Sequence, residues 1–430
     1  MSSLCTDIGD LQEHLMTEHW YPPYCREPPL IEYCGDMELG AIVMGRACNK
    51  GFVSLYSSDS YKPLEYKDQF IKWVFQNKIQ GYTYYGKIFD VKKAEPGPPG
   101  TTSIVSILRT DEASYALKAY RLPTPDNLEP RVLEYLTKAG NNHVPSYTGH
   151  GEYGGYIIHL ITSWLGESSV VPLLFDNAIY YMSKGFAEPL ELAYEIGAAI
   201  ASIHSDLELC SDILCAPEPV SEEDLSRWIF RIQWRLENMA IHEDNLVRDT
   251  VEQLYNRIDD VIELASNLRK GSKIRTHGDL HLYQVFIDKN TNIKILDFEG
   301  EPDRMPGTPF EKETSERDLA CLLRSLHYVA ANAYLSKNGE ETVFEASRKV
   351  LHEHGEWISS TFEKILEGYR AKGRNPSLEA IFFWSIERAL YEFYYESMWR
   401  TGLEHIPLAW LEHVTQFLGG KSYPFLLTKS

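Results

Sequence analysis

The chain of 430 residues has a formal net charge of -20, with 43% hydrophobic and 24% charged residues. This length predicts two or three subdomains, and the composition fits a soluble globular protein. The acidic surface disfavours nucleic acid as a partner, because it repels phosphate backbones. No apolar run approaches the roughly 20 residues that cross a bilayer, and the first residues lack a signal-peptide pattern. We therefore expect a cytoplasmic protein without a membrane partner.

Cysteine usage bears on the redox environment. The seven cysteines are an odd number and include no CxxC pair, although four lie within the first 48 residues. This pattern favours free thiols over a zinc site, in agreement with a reducing compartment. Disulfides of the kind found in hyperthermophile proteins are the alternative.

The first part of the chain carries mostly β signals. Residues 1–62 contain short apolar runs and predict short strands and turns. Residues 63–82 place apolar side chains near helical spacing, at Phe70, Trp73, Val74 and Ile79. Three strands are predicted between residues 83 and 121, separated by the loops EPGPPGTT and RTDEAS. The first loop has the position, but not the glycine spacing, of a phosphate-covering loop.

The rest of the chain is predominantly helical in pattern. After a helix in NLEPRVLEYLTKAG come two strands, in YTGHGEY and GYIIHLIT. A long helix follows in EPLELAYEIGAAIASIHSDL, with Pro189 in its first turn. The sole later β signal is a hairpin in VFIDKNTNIKILDF. A β-rich region followed by a helical one with a single short hairpin is the plan of protein-kinase-like proteins.

The segment THGDLHLYQVFIDKNTNIKILDFEGEP carries the chemistry. Phosphoryl transfer needs a carboxylate near the attacking hydroxyl and metal ligands near the phosphates. Asp279 precedes Gln284 by five residues, the kinase spacing between base and metal-binding amide, and Asp297 ends the second hairpin strand. We predict Asp279 as the catalytic base and Gln284 and Asp297 as Mg²⁺ ligands.

A cation for the triphosphate is predicted at Lys118 in SYALKAYR, where a lysine inside an apolar strand is costly to bury unless it is paired. In kinases such a lysine contacts the α- and β-phosphates and a helix glutamate. Glu129 and Glu134 both lie in the following helix. We favour Glu129 as the partner, and both Lys118 and Glu129 as nucleotide-binding residues.

The segments HGDLHLYQV, ILDFEGEP, RDLACLLRSLHYVA and RALYEFYYES…IPL resemble the maltokinases, members of the aminoglycoside-phosphotransferase branch of the protein-kinase-like superfamily. The resemblance covers roughly residues 70–415. It implies an α+β, protein-kinase-like two-lobe fold, with an N-terminal extension and cap (1–82), a β-rich nucleotide-binding lobe (83–165) and a mainly helical C-terminal lobe (166–430). Residues 1–62 have no counterpart in the family. The resemblance also implies ATP and Mg²⁺ as cofactors, and the roles given above for Asp279, Gln284, Asp297 and Lys118.

Three positions depart from the family. Tyr283 stands where the family has a glycine, and the acidic residue of the helix after the lysine falls at Arg131, which puts Glu129 in doubt. Residues 400–403 lack the tryptophan that the family carries before IPL. Since an aromatic platform commonly supports a sugar ring, the last change bears on the acceptor.

The acceptor site is predicted from polar and aromatic residues around the motifs. Candidates for substrate contact are His281, Glu299, Glu301, Glu392, Glu396 and Trp399. For each, a structural or solvated role is the alternative. His277 is predicted to order the catalytic loop, and Arg317 and Asp318 are predicted to form an internal ion pair that supports it. We expect a sugar kinase, with maltose phosphorylated to maltose 1-phosphate. The alternatives are a kinase for glucosamine, another amino sugar or an aminoglycoside, and a catalytically silent scaffold.

Overall fold

The computed structural model describes residues 4–57, 60–98, 103–125, 127–166, 168–186, 188–302, 311–339, 341–420 and 422–423. Its helices are α1 (Ile8–Thr17), α2 (Asp68–Phe75), α3 (Glu129–Lys138), α4 (Val171–Lys184), α5 (Glu191–Glu208), α6 (Glu222–Ala240), α7 (Asn245–Tyr255), α8 (Ile258–Ser266), α9 (Glu316–Asn338), α10 (Val343–Glu353), α11 (Gly355–Ala371), α12 (Leu378–Trp399) and α13 (His405–Thr415). Its strands are β1 (Leu30–Met37), β2 (Gly40–Ala47), β3 (Lys50–Ser57), β4 (Tyr82–Gly86), β5 (Lys93–Pro96), β6 (Ser103–Arg109), β7 (Ser114–Tyr120), β8 (Tyr147–Tyr153), β9 (Tyr156–Ser163), β10 (Glu218–Pro219), β11 (Ser272–Ile274), β12 (Val285–Ile287), β13 (Ile293–Ile295) and β14 (Glu313–Thr314). Across these ranges, no helix has the length and apolar character needed to cross a membrane.

The chain forms two compact units, and the first consists of Met1–Lys138 and Pro145–Glu167. It contains a three-stranded sheet, β1-β2-β3, and a six-stranded sheet in the order β4-β8-β9-β7-β6-β5, all antiparallel. In β7, Leu117 and Ala119 are fully buried on one face, and Lys118 lies on the opposite face because side chains alternate along a strand. The further division of this unit at residue 82 stays a prediction.

The prediction of three strands between residues 83 and 121 is wrong. The first of these predicted strands is two separate strands, β4 and β5, which lie at opposite edges of the six-stranded sheet. Gly86 ends β4 with a φ of 146°, a value that L side chains rarely adopt, so the chain can leave the sheet there.

The helix predicted over residues 63–82 is shorter than expected. Phe70 and Val74 pack into the core from α2, and Asn77 follows with a φ of 50°. Asparagine tolerates this left-handed conformation, which no α-helix continues through. Ile79 therefore reaches the same core from beyond the helix.

The N-terminal strands agree with the prediction for residues 1–62, but α1 was missed. Asp7 caps this helix by accepting the N–H of Asp10 at 3.2 Å, and Leu11 and Leu15 bury one face. The spacing of four between these leucines and the preceding Asp7 were the available sequence signals.

The prediction of free thiols is wrong for six of the cysteines. The first two disulfides below join the segment around α1 to β1 and to the β2–β3 turn. Closing loops with sequence separations of 29 and 23 restricts the unfolded chain, which the chain-entropy account values at about 3 kcal/mol each. The pairs are Cys5–Cys34, Cys25–Cys48 and Cys210–Cys215, and Cys321 is a buried free thiol.

A buried ionic network joins the segment before α2 to the six-stranded sheet. Arg121 donates to both carboxylate oxygens of Glu65, over 2.7 and 2.9 Å. His159 donates from Nε2 to Glu65 at 3.1 Å and accepts from the Tyr82 hydroxyl at 2.8 Å. Burial alone would raise the pKa of Glu65, but the Arg121 charge and the His159 hydrogen bond lower it to about 2.

We expect Glu65→Ala to lower the free energy of unfolding of this unit by about 3–5 kcal/mol, because Arg121 is left buried without its carboxylate. Hydrogen exchange of the β7 amides measures the loss. Glu134→Ala, which removes a solvent-exposed partner of Lys138, is the control and should change stability by less than about 1 kcal/mol. Equal protection of β7 in Glu65→Ala and in the wild type would contradict the prediction.

The same network predicts acid sensitivity. The folded-state pKa of Glu65, about 2, lies below the unfolded value of 4.5. Its contribution to stability is therefore complete above the unfolded pKa and is lost as pH falls from there toward the folded pKa. An acid titration of β7 protection that is flat between these two values would show that Glu65 does not contribute.

The second unit, Ala139–Val144 with Ser168–Ser430, is mainly helical. The predicted hairpin is present as β12 and β13. It is not the sole later β structure, because β10, β11 and β14 form a further small sheet. These strands have two or three residues each, too few for an alternating pattern to show. Pro189 precedes α5 and lies outside its first turn.

Two glycines let α5 and α11 approach closely. A Cβ added at Gly197 would collide with the backbone of α11, and one added at Gly368 would collide with the backbone of α5. Without these side chains the helix backbones come into contact. His204 of α5 consequently lies beside Tyr369 of α11, with Nδ1 3.0 Å from the hydroxyl.

Candidate active site

The loop that carries Asp279 is held by α9. Asp318 accepts the N–H groups of His277 at 2.8 Å and Gly278 at 2.9 Å, and it lies 2.9 Å from Nε2 of His204. Burial alone would raise the pKa of Asp318, but the hydrogen bond and charge of His204 lower it to about 2. The ionised carboxylate therefore fixes the backbone immediately before Asp279.

His277 connects the same loop to the β12–β13 hairpin. Its Nε2 donates to the Leu296 carbonyl at 2.8 Å, and its Nδ1 accepts the N–H of Asp279 at 3.3 Å. The ring also packs on Phe298, with centroids 4.6 Å apart. These contacts agree with the loop-ordering role predicted for His277.

The predicted ion pair between Arg317 and Asp318 is wrong. Arg317 donates to the Gly278 carbonyl at 2.6 Å and binds Glu301 at 2.6 Å, whereas Asp318 binds the loop amides. Successive residues of a helix do not face each other, so the two side chains support the loop from different directions.

Asp279 is the predicted base, and its side chain is 14% exposed. Nη2 of Arg388, on α12, lies 2.6 Å from Oδ1 of this carboxylate. Sequence reasoning missed Arg388, because an arginine four residues before Glu392 is explained by an i,i+4 pair alone. That pair is present too, at 3.0 Å.

The hairpin brings together the two predicted metal ligands. Gln284 donates from Nε2 to Asp297 Oδ2 at 3.0 Å, and its buried Oε1 makes no hydrogen bond. Asp297 has a φ of 72°, a left-handed conformation that aspartate adopts more readily than most residues. Carboxylate oxygens of Asp297 and Glu299 lie within 4.8 Å of each other. A buried amide oxygen without a donor, beside a carboxylate, fits Mg²⁺, which binds oxygen ligands.

In the first unit, Lys118 is paired as predicted. Its Nζ lies 2.9 Å from Oε2 of Glu129, the first residue of α3, and the departure at Arg131 does not prevent the pair. The Tyr120 hydroxyl donates to the same oxygen at 2.6 Å, a contact that the sequence did not suggest. The Lys118 side chain keeps 17% exposure, whereas Glu129 is buried at 2%. The glutamate thus holds a lysine that stays accessible to solvent.

Two of the carboxylates predicted to contact the acceptor are occupied by arginines. Glu301 accepts from Arg317 at 2.6 Å and from Arg388 at 2.9 Å. Glu392 accepts from Arg324 at 2.9 Å and from Arg388 at 3.0 Å. Both glutamates are buried, so their negative charge is largely compensated within the protein.

The last turns of α12 carry a ladder of three aromatic rings. Tyr391 stacks on Tyr395, and Tyr395 on Trp399, with centroids 6.0 and 5.8 Å apart, as the spacing of four predicts. Glu396 lies in the same turns, where burial raises its pKa to about 7 against the opposing charge of Arg400. Its buried Oε2 makes no hydrogen bond.

His281 and the predicted phosphate-covering loop complete the candidates. His281 is placed in the loop after Asp279, and burial lowers its pKa. Its Nδ1 has no hydrogen-bond partner, and its ring meets the exposed Tyr283 edge-on. The loop EPGPPGTT lies partly outside the described residues, at 99–102.

No protein-family model matches the chain. The fold is nevertheless defined by solved structures: it is α+β and protein-kinase-like, as predicted. One structure of a glucosamine kinase aligns with a TM-score of 0.62 at 15% identity, covering 95% of this chain and 99% of that one. A second, in complex with glucosamine, ADP and inorganic phosphate, aligns at 0.61 and 13% identity, covering 94% and 98%. At these identities the similarity concerns the fold.

Proposed function

We propose that the protein is an ATP- and Mg²⁺-dependent kinase that transfers the γ-phosphate of ATP to a sugar hydroxyl. The observation that carries this proposal is the frame around Asp279, Gln284 and Asp297. It supplies one partly exposed carboxylate, one amide oxygen without a donor and a second carboxylate, and α9 holds the backbone just before Asp279. This set matches the needs of phosphoryl transfer, in which positioning and charge compensation dominate.

Each residue has a distinct role in this mechanism. Asp279 accepts the proton of the acceptor hydroxyl as its oxygen bonds to the γ-phosphorus and the bond from that phosphorus to the ADP oxygen breaks. Gln284 and Asp297 would hold Mg²⁺, which when bound neutralises charge on the phosphates. Lys118, fixed by Glu129, contacts the α- and β-phosphates.

The charges around Asp279 favour a neutral acceptor. A site rich in glutamate would suit a cationic substrate, but Glu301 and Glu392 already face arginines. The positively charged guanidinium of Arg388 lies 2.6 Å from Asp279, and it repels an ammonium group beside the reacting hydroxyl. Tyr391 is buried, but the half-buried rings of Tyr395 and Trp399 offer flat apolar surface of the kind that a disaccharide needs. We therefore propose a neutral sugar, with maltose as the first choice.

Glucosamine is the second candidate. It is favoured by Glu396, whose Oε1 accepts from Arg400 at 2.8 Å but whose buried Oε2 has no hydrogen-bond partner and is available to an amine. The fold shared with glucosamine kinase supports the same candidate.

A screen of Mg²⁺-dependent ADP release over maltose, trehalose, glucose and glucosamine tests the proposal. We expect kcat/KM to be highest for maltose and low for glucosamine. Efficient turnover of glucosamine with negligible turnover of maltose would replace the acceptor and leave the kinase assignment intact. Binding of Mg·ATP without turnover of any acceptor would favour a catalytically silent scaffold.

The Glu396→Gln variant separates the two acceptors further. A site that pairs a buried carboxylate with a substrate amine discriminates against its loss by as much as about 10⁴-fold. We expect Glu396→Gln to leave kcat/KM for maltose within about tenfold, the cost of one hydrogen bond. A much larger loss confined to glucosamine would identify the amine as the recognised group.

A further inference from the structure

Arg388, on α12, extends its side chain to the loop that carries Asp279. Its guanidinium contacts three carboxylates: Nη2 lies 2.6 Å from Asp279, Nη1 lies 2.9 Å from Glu301, and Nε lies 3.0 Å from Glu392. The guanidinium carbon also lies 4.9 Å from the centroid of the Tyr391 ring. Since the group is planar, the two glutamates define its orientation and leave Nη2 directed at Asp279.

The two glutamates are themselves fixed by α9. Arg317 binds Glu301 at 2.6 Å, and Arg324 binds Glu392 at 2.9 Å. Arg317 also donates to the Gly278 carbonyl at 2.6 Å, one residue before Asp279. Thus α9 holds the backbone next to Asp279 directly and holds Arg388, through the two glutamates, against the Asp279 side chain.

Two histidines of its own loop also interact with Asp279. They are His277, whose Nδ1 accepts the N–H of Asp279, and His281, whose pKa is lowered by burial. Neither provides a permanent positive charge. Burial would lower the pKa of Arg388, but Asp279 and the other carboxylates raise it instead, so the guanidinium stays charged.

We propose that Arg388 is a positioning residue for Asp279: it holds Oδ1 and thereby presents Oδ2 to the acceptor hydroxyl. This inference rests on the proposed kinase function, in which Asp279 is the base. A bidentate or forked arginine contact restricts the carboxylate more than a lysine would, because the guanidinium donors have fixed directions.

The test compares Arg388→Gln and Arg388→Lys with Arg235→Gln. Arg235 is a matched control, since it is also buried, contacts Glu387 and lies over the Tyr391 ring at 5.2 Å, yet it does not touch the loop. For Arg388→Gln we expect kcat to fall about 10²-fold, the cost of a misplaced reacting group. The affinity for Mg·ATP should stay at the wild-type value, because Arg388 contacts Asp279, Glu301 and Glu392 and neither predicted Mg²⁺ ligand. Arg388→Lys should also lose kcat, because it keeps the charge and loses the fork.

A second readout does not depend on turnover. The carboxyl ¹³C resonance of Asp279, assigned by its absence in Asp279→Asn, reports the surroundings of that group directly. At one fixed, neutral pH its chemical shift should change in Arg388→Gln and stay at the wild-type value in Arg235→Gln. A wild-type protein that phosphorylates no acceptor contradicts the proposed function, while this chemical shift still tests the inference. Wild-type kcat and an unchanged chemical shift in folded Arg388→Gln overturn it; should that variant not fold, unchanged kcat in Arg388→Lys overturns it.

Discussion

Asp279→Asn is expected to lower kcat by about 10²–10⁴-fold and to leave the affinity for Mg·ATP unchanged. The asparagine cannot accept the acceptor proton as a carboxylate does, but it can still accept a hydrogen bond from Arg388. The loop geometry should therefore survive, because its backbone is fixed by Asp318. Steady-state kinetics with the accepted sugar and calorimetric titration of Mg·ATP measure the two effects.

Asp288→Asn is the matched control for this prediction. Asp288 lies in the hairpin turn and accepts the N–H groups of Asn290 and Asn292, which an asparagine also accepts. We expect its kcat to stay close to the wild-type value. If the Asp279→Asn variant kept most of the wild-type activity, Asp279 would not be the general base.

Asp297→Ala is expected to abolish Mg²⁺-dependent ATP binding. The alanine loses the carboxylate, and it also meets backbone strain at a φ of 72°, which disfavours residues other than glycine, asparagine and aspartate. Asp297→Asn separates these effects, since asparagine tolerates the conformation and can accept from Gln284. For that variant we expect the affinity for Mg·ATP to fall by more than about 100-fold. This loss is larger than the one caused by removing a residue that only hydrogen-bonds to a metal ligand.

Gln284→Glu provides the complementary measurement. It replaces the unpartnered amide oxygen by carboxylate oxygens and removes the donor to Asp297, so we expect Mg²⁺ to be held with an altered metal preference. Titrating Mg²⁺ and Mn²⁺ with ATP into both variants distinguishes a ligand from a purely structural residue. Wild-type affinity for Mg·ATP in Asp297→Asn would exclude Asp297 from the metal site.

The sequence predicts the local parts of this site well. Asp279, Gln284 and Asp297 belong to one loop and one hairpin, so their spacing along the chain carries the geometry. The pairing of Lys118 with Glu129 follows similarly from a strand and the helix after it. Their roles in catalysis and binding stay predictions.

Contacts between distant segments are what the sequence does not predict. Arg388 and Asp279 are in contact but lie far apart in the sequence. Nothing in the local pattern of α12 indicates this contact, because the helical pair with Glu392 already explains the arginine. The same holds for Glu65 and Arg121, because their buried pair depends on how the segment before α2 packs on the six-stranded sheet. Six cysteines likewise pair through the folded chain, for which count and spacing give no rule.

The close approach of α5 and α11 has a consequence for engineering. Glycine-to-alanine replacements inside helices are a standard route to higher thermal stability, because they reduce the freedom of the unfolded chain. Gly197 and Gly368 are both helical and would be obvious choices. At this crossing, however, an added methyl group must push the two helices apart and draw His204 away from Asp318. A thermostability programme should therefore leave both glycines unchanged, since their replacement would weaken the support that His204 and Asp318 give to the loop carrying Asp279.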